Sequence, residues 1–257
     1  MDITDSHTHL DFESFNDDQV ACIERARAAG VTRMLTIGTG GGLTGAPQAI
    51  ALAEKYPFIW ASAGVHPHDA DHEIDMVLFE RLAQHPKVVA IGETGLDFFR
   101  DWAKVPNQHK MFEAQIDLAK RVKKPLIIHS REAGKECLSA LQSNGARDVG
   151  GVFHCFAEDA EFAKKLWDIG FYVSFPGILT FKKNEAIRDI CKAIPLEQIL
   201  IETDAPFLAP EPYRGKRCEP AFVVETAKCL ATIKGLSLGE VAAITTKNTL
   251  TLFSHMR

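Results

Sequence analysis

Two histidines one residue apart, His7 and His9, flank Thr8 near the start of the chain. On an extended strand, side chains at i and i+2 share a face, so the two imidazoles stand side by side with Thr8 turned away. Such a pair can present two nitrogens to one divalent ion. Four more residues of ligand type follow much later, namely Glu93, His129, His154 and Asp204. A carboxylate among histidines suits two ions, because it can bridge them while imidazoles take the outer positions. Mixed nitrogen and oxygen ligation fits Zn, Mn, Co or Fe, and an oxygen-richer, wetter version tolerates Mg. Two ions a few ångströms apart can share a hydroxide and clamp the attacking and leaving oxygens of a displacement. The expected cofactor is a pair of divalent metals (Mg, Mn or Zn), with Glu93 as the bridge. Asp204 is placed to orient the attacking water and take its proton. Glu202, at i, i+2 from Asp204, is expected one layer deeper, orienting a ligand.

These residues meet only if the backbone carries them to one place. Short strand-like runs alternate with amphipathic stretches throughout, and the strand candidates are residues 2–7, 33–39, 58–65, 88–93, 125–130, 150–154, 171–177 and 199–204. Near-continuous apolar runs such as Val88-Val89-Ala90-Ile91 and Leu126-Ile127-Ile128 are expected of parallel strands covered by helices. Helical patterns lie between them, one closed by Gly30 and another ended before Pro125. Eight strands, each followed by a helix, predict an α/β fold of the TIM-type (β/α)8 class. A doubly wound open sheet is the runner-up. In a barrel, the C-terminal strand ends form one face, where active sites gather. His7 ends the first strand candidate, Glu93 the fourth, His154 the sixth and Asp204 the eighth, and His129 nearly ends the fifth. Read as six unrelated polar residues, they would leave several costly groups at the barrel mouth without partners. No linker or composition shift divides the chain, so residues 1–257 are expected to form one domain. Ser237-Leu238-Gly239-Glu240 has capping-box spacing and predicts an extra C-terminal helix.

The 257 residues are 46% hydrophobic and 25% charged, with a net charge of −5. That balance argues against a broad basic surface for duplex nucleic acid but allows a strand end to be gripped locally. No apolar run reaches the roughly 18 residues of a membrane span. The chain enters strand-like sequence at once, which leaves no room for a signal peptide, so a cytoplasmic protein is expected. Six scattered cysteines without a C-x-x-C pair do not suggest a disulfide framework. Cys155, next to His154, is expected to face away from the ligands by strand alternation. At the mouth, His66 is a candidate contact to substrate or to metal-bound water, and His68 either joins it or is a plain loop residue. Arg131, Lys182, Lys183, Arg214, Lys216 and Arg217 can form a local phosphate-holding rim or remain solvated loop charges. Residues 40–45 satisfy G-x-G-x-x-G, yet no acidic residue ends the next strand, so a dinucleotide and other organic cofactors are not expected. There is no Walker A, G-x-S-x-G or H-E-x-x-H motif.

The sequence resembles the TatD family of metal-dependent deoxyribonucleases, within the amidohydrolase-like barrels. The resemblance rests on DSHTHL (residues 5–10), AGVHPHD (63–69), IGETGLDFFRD (91–101), IIHSR (127–131), FHCF (153–156), IETDAPFL (201–208) and NTLTLF (248–253). It implies metal ligation by His7, His9, Glu93, His129, His154 and Asp204, the set already reached from strand ends. It further implies phosphodiester hydrolysis, as a 3′-to-5′ exonuclease on single-stranded or damaged DNA ends. One departure is Arg217-Cys218-Glu219-Pro220, where the family often carries Asn at the second position.

Three functions fit these residues. A metal-dependent nuclease leads. Hydrolysis of an amide or ester, such as removal of a D-amino acid from tRNA, needs the same ions. The third is a metal-binding scaffold without catalysis, which the presence of Asp204 disfavours. Basic and aromatic mouth residues, Arg131, Phe98 and Phe99, favour a nucleotide, because bases stack on aromatic rings.

Overall fold

A computed structural model describes residues 2–256. Eight parallel strands form one sheet in sequential order: β1 (Ile3–Thr8), β2 (Val31–Thr36), β3 (Ile59–Ala63), β4 (Val88–Asp97), β5 (Leu126–Arg131), β6 (Gly151–Phe153), β7 (Phe171–Phe175) and β8 (Ile199–Ile201). A helix follows each strand: α1 (Gln19–Ala28), α2 (Gly45–Lys55), α3 (Met76–Ala83), α4 (Val105–Val122), α5 (Gly134–Ser143), α6 (Ala160–Trp167), α7 (Glu185–Ala193) and α8 (Val223–Lys234). The sheet curls until its edges meet at a Thr8–Ala205 bridge, and Ser6 Oγ donates to the Ile201 carbonyl across the seam at 3.0 Å. This is the (β/α)8 barrel. No helix among the described residues is long and apolar enough to cross a membrane.

Strand alternation divides the core in two. Leu126, Ile128, Phe153, Val173 and Ile199 face outward into the main cluster with the helices. Leu35, Val89, Ile127, Val152 and Leu200 form the inner cluster, closed by Phe253 and Met256. Each such aliphatic side chain stabilises the fold by roughly 1.5–3 kcal/mol when removed from water. Two residues beyond Ile127 and Val152, on the same inward alternation, come His129 and His154. The additional helix, α9 (Leu238–Leu252), packs against β1, β8 and α8. Ser237 Oγ accepts from the Glu240 amide at 3.2 Å and the Glu240 carboxylate accepts from the Ser237 amide at 2.9 Å, which makes the capping box.

The fourth strand differs from its expected bounds. It does not stop at Glu93 but continues to Asp97, with a register shift against β5 between Ile91 and Thr94. Gly92 and Gly95 have φ of 147° and 131°, and a Cβ on Gly95 would meet the His129 carbonyl at 2.1 Å. Only glycine allows the strands so close. Two buried glutamines of α4 replace the missing ladder partners. Gln115 Oε1 accepts from the Val65 amide at 2.9 Å while its Nε2 donates to the Val65 carbonyl and to Thr94 Oγ1. Gln108 does the same for the Asp97 amide and carbonyl. Glu93 therefore sits inside a bulged strand, and His154 and Asp204 lie just past the ends of theirs.

Candidate metal centre

The barrel seam assembles the first ligand-type group. The Asp204 amide donates to the His7 carbonyl at 2.9 Å and the His9 amide donates to the Ala205 carbonyl at 2.7 Å, which ties the ends of β1 and β8 together. His7 Nε2 and His9 Nε2 then lie 3.3 Å apart. Asp204 Oδ1 is 3.5 Å from His7 Nε2 and 3.4 Å from His9 Nε2. Glu93 Oε2 is 3.6 and 3.9 Å from the same two nitrogens. The second group gathers on the other oxygen of the same carboxylate. Glu93 Oε1 is 2.7 Å from His154 Nε2 and 2.9 Å from His129 Nδ1. The rings of His7 and His154 stack at 4.1 Å, joining the two groups.

Each histidine of the second group has a carboxylate behind it. His129 Nε2 donates to Asp97 Oδ2 at 3.1 Å, which leaves Nδ1 directed at Glu93. His154 Nδ1 lies 3.5 Å from Glu202 Oε1, which also accepts from the Cys155 amide at 2.7 Å. Such pairs fix the tautomer and raise the basicity of the inward nitrogen. Glu202 was reachable from the sequence, but Asp97 was missed. Its signal was the spacing of Glu93 and Asp97, i and i+4 along a continuing strand and hence on one face. Asp97 Oδ1 meanwhile accepts from the amides of Phe99 and Arg100, both at 2.9 Å, so one side chain shapes both the ligand and the following turn.

His66 reaches the same centre from the loop after β3. Its Nδ1 accepts from the His68 amide at 3.1 Å, so the proton of the neutral ring sits on Nε2, 3.5 Å from Glu93 Oε1. His68 Nε2 donates to Asp97 Oδ2 at 2.7 Å. Arg131 stacks on Phe99, its guanidinium carbon 3.8 Å from the ring centroid, at the exposed end of β5. Phe98, by contrast, packs toward the core and His109 rather than into the mouth. Arg217 is not brought to the ligands. Its guanidinium bonds both oxygens of Asp18 at 2.8 Å and covers Phe15, clamping the loop after β8 to the start of α1. Arg214 lies over Phe181, 3.7 Å from its centroid. Cys155 does not alternate away on a strand, because β6 ends at Phe153 and Cys155 takes φ 47°. Burial raises its thiol well above the ordinary range, and the carboxylates of Asp204, Glu202 and Glu93 raise it further.

The charges follow from these contacts. Burial alone would raise the carboxyl of Glu93, but His154, His66 and the hydrogen bond from His129 outweigh it and hold it well below the usual range. Asp204 behaves likewise: burial opposes ionisation, and the His9 hydrogen bond with the nearby His7 and His154 reverses the balance. Both are carboxylates at neutral pH. Burial dominates at His66 and lowers it to about 4, so that ring is neutral.

Tetrahedral donors about 2.1 Å from an ion stand roughly 3.4 Å apart. The five nitrogen and oxygen pairs around His7 and His9 lie between 3.3 and 3.9 Å. Imidazole nitrogens facing carboxylate oxygens at that spacing are a donor set that could hold a divalent metal ion. The donor atoms of His7, His9 and Asp204 form one compact cluster, and those of Glu93, His129 and His154 form another. Comparison with known proteins matches this arrangement to a family. The model described as TatD related DNase covers residues 4–254. The chain belongs to the TatD family. It is 42% identical to YabD of Bacillus subtilis, described as an uncharacterized metal-dependent hydrolase, over 97% of this chain and 98% of that one. It is 36% identical to the 3′-5′ ssDNA/RNA exonuclease TatD of Edwardsiella piscicida, over 93% and 94% of the two chains. Among solved structures, the TatD homologue YjjV of Escherichia coli superposes on this TatD-family barrel with a TM-score of 0.89. The identity is 29%, and 98% of each chain is covered.

Proposed function

We propose that this TatD-family hydrolase holds two divalent ions and cleaves phosphodiester bonds at the ends of single-stranded or damaged DNA, in the 3′-to-5′ direction. The observation that carries the reading is Glu93, whose two oxygens face two separate ligand groups. His7, His9, Glu93 and Asp204 would hold one ion, and Glu93, His129 and His154 the other. Bound there, the ions would supply Lewis-acid charge and acidify a water at the mouth. The protein's own groups account for the rest. Asp204, ionised and partly open to the mouth, takes the proton of the water that attacks phosphorus as the bond to the leaving oxygen breaks. His66 offers its Nε2–H to a non-bridging phosphoryl oxygen, and Arg131 adds a guanidinium beside it. Glu202 and Asp97 keep His154 and His129 in the required tautomers. The family model's description and the Edwardsiella relative support nucleic acid as the substrate class.

The test uses protein stripped of metal, reloaded with Mg, Mn or Zn, and given 5′-labelled single-stranded DNA beside a panel of esters and amides. Stepwise shortening from the 3′ end is expected, and it should be lost in folded His129→Ala and Asp204→Ala. No cleavage with any ion, together with amide or ester turnover abolished by Glu93→Ala, would replace the nuclease reading with an acyl hydrolase.

A further inference from the structure

Four phenylalanine or tryptophan side chains are exposed among the described residues, and three of them, Phe99 (48%), Trp102 (63%) and Phe207 (51%), stand beside the ligand groups. They fall on both sides of Glu93. On the side of the second group, the Trp102 ring meets His68 edge-on at 4.5 Å, and His68 lies 5.8 Å from His129. Arg131 covers Phe99, and Arg100 spans Phe99 and Trp102 at 5.1 and 5.4 Å from their centroids. On the side of the first group, His9 packs against Phe12 at 4.5 Å and Phe207 at 6.2 Å, and those two rings meet each other at 6.1 Å.

Resting on the phosphodiesterase reading, we propose that these two aromatic platforms bind the nucleobases on either side of the scissile phosphate. The substrate class is then an unpaired strand of at least two nucleotides. Even with these arginines in place each ring keeps about half or more of its surface open to water, and clustered exposed aromatic rings mark an interaction site. Base faces cover such rings, and stacking accepts any base. The guanidiniums of Arg100 and Arg131 complement the backbone phosphates locally, although the whole chain carries net charge −5. A duplex offers no such faces, because its bases already stack on one another. One platform packs against His9 itself and the other against His68, the neighbour of His129, so a strand stacked on the two would carry its intervening phosphate past Glu93.

The experiment compares wild type with Trp102→Ala, Phe99→Ala and Phe207→Ala, each checked by its melting temperature, on oligo-dT, oligo-rU and methyl 4-nitrophenyl phosphate. The readout is the ratio of kcat/KM on the oligomer to that on the small diester. Each variant should lower this ratio roughly 5- to 150-fold, the range of base stacking on one aromatic ring. A fall on either polymer sustains the platforms. Ratios within two-fold of wild type for all three variants on both polymers overturn them. Wild type that cleaves the small diester but no oligomer also overturns the platforms while leaving phosphodiester hydrolysis intact. Wild type that cleaves neither removes the underlying reading and the platforms with it.

Discussion

Replacing Asp97 by Asn isolates the contribution of a side chain that would touch neither ion nor substrate. The carboxylate is fully buried, and its Oδ1 bonds to the Phe99 and Arg100 amides can be kept by the amide oxygen. What changes is the other oxygen, which becomes an NH2 group facing His129 Nε2 and His68 Nε2, both of which donate in the wild type. Donor then meets donor. His129 must move its proton to Nδ1, the nitrogen 2.9 Å from Glu93 Oε1 and the one an ion would need. Loss of such an outer carboxylate typically costs 10- to 100-fold in metal affinity, or about 1.4–2.7 kcal/mol. Burial opposes charge on His129, but Asp97 and Glu93 together raise its pKa, so the variant should also protonate less readily. The assay is competition for Zn against a chromophoric chelator, followed by kcat/KM at saturating metal. The ion that the Glu93, His129 and His154 group would hold should lose 10- to 100-fold in affinity. Unchanged affinity at both, with kcat/KM within two-fold of wild type, would refute the view that Asp97 sets the His129 tautomer.

Three further outcomes follow from the same geometry. Glu93→Gln leaves one acceptor oxygen where two faced separate groups, so metal analysis should find bound ions falling from two per chain to one or none, with activity down at least ~100-fold. Gly95→Ala places a Cβ against the His129 carbonyl at φ 131°, so urea unfolding should show a loss of ~3 kcal/mol or more, while Gly239→Ala in α9 meets only Ser237 Oγ at 4.0 Å and should be tolerated. Burial raises Asp5 to about 8 against the hydrogen bonds from Thr203, so the metal-free native state keeps a proton that the unfolded chain releases near pH 4. Its stability should therefore fall as pH rises from about 4 to 8, by at most ~1.4 kcal/mol per unit, and thermal unfolding of Asp5→Asn should show a flatter profile.

The barrel and its ligand-type residues were legible because each strand is short, apolar and followed by a helical pattern. Under those rules, residues distant in sequence converge at strand ends. The extra helix was legible from the Ser237 and Glu240 pair alone. Asp97 was not, because the apolar run stops at Ile91 and the next segment reads as loop. The glycines at 92 and 95 allow a bulge that carries the strand on to Asp97. Phe98 and Phe99 look alike in sequence, and only the turn held by Asp97 decides that one packs inward and the other meets Arg131. Arg217 could not be separated from the rim arginines, since its partner Asp18 lies almost the whole chain away. Strand alternation does not place Cys155, because it lies two residues past the end of a three-residue strand.

The seam between β1 and β8 gives the first ligand group a mechanical meaning. His7 and His9 belong to the beginning of the chain and Asp204 to the segment just after the last strand, and backbone hydrogen bonds across their junction are few. An ion held by these residues, as proposed above, would act as a clasp. It ties together two points separated by most of the polypeptide, much as a long-range crosslink does, and restricts the unfolded chain only if it stays bound there. The clasp can close only after the final strand has been made and docked, so nascent chains shorter than this cannot hold the complete site. Binding and barrel closure become one equilibrium: ion that favours the native state raises stability with its free concentration, and a chelator loosens the seam itself.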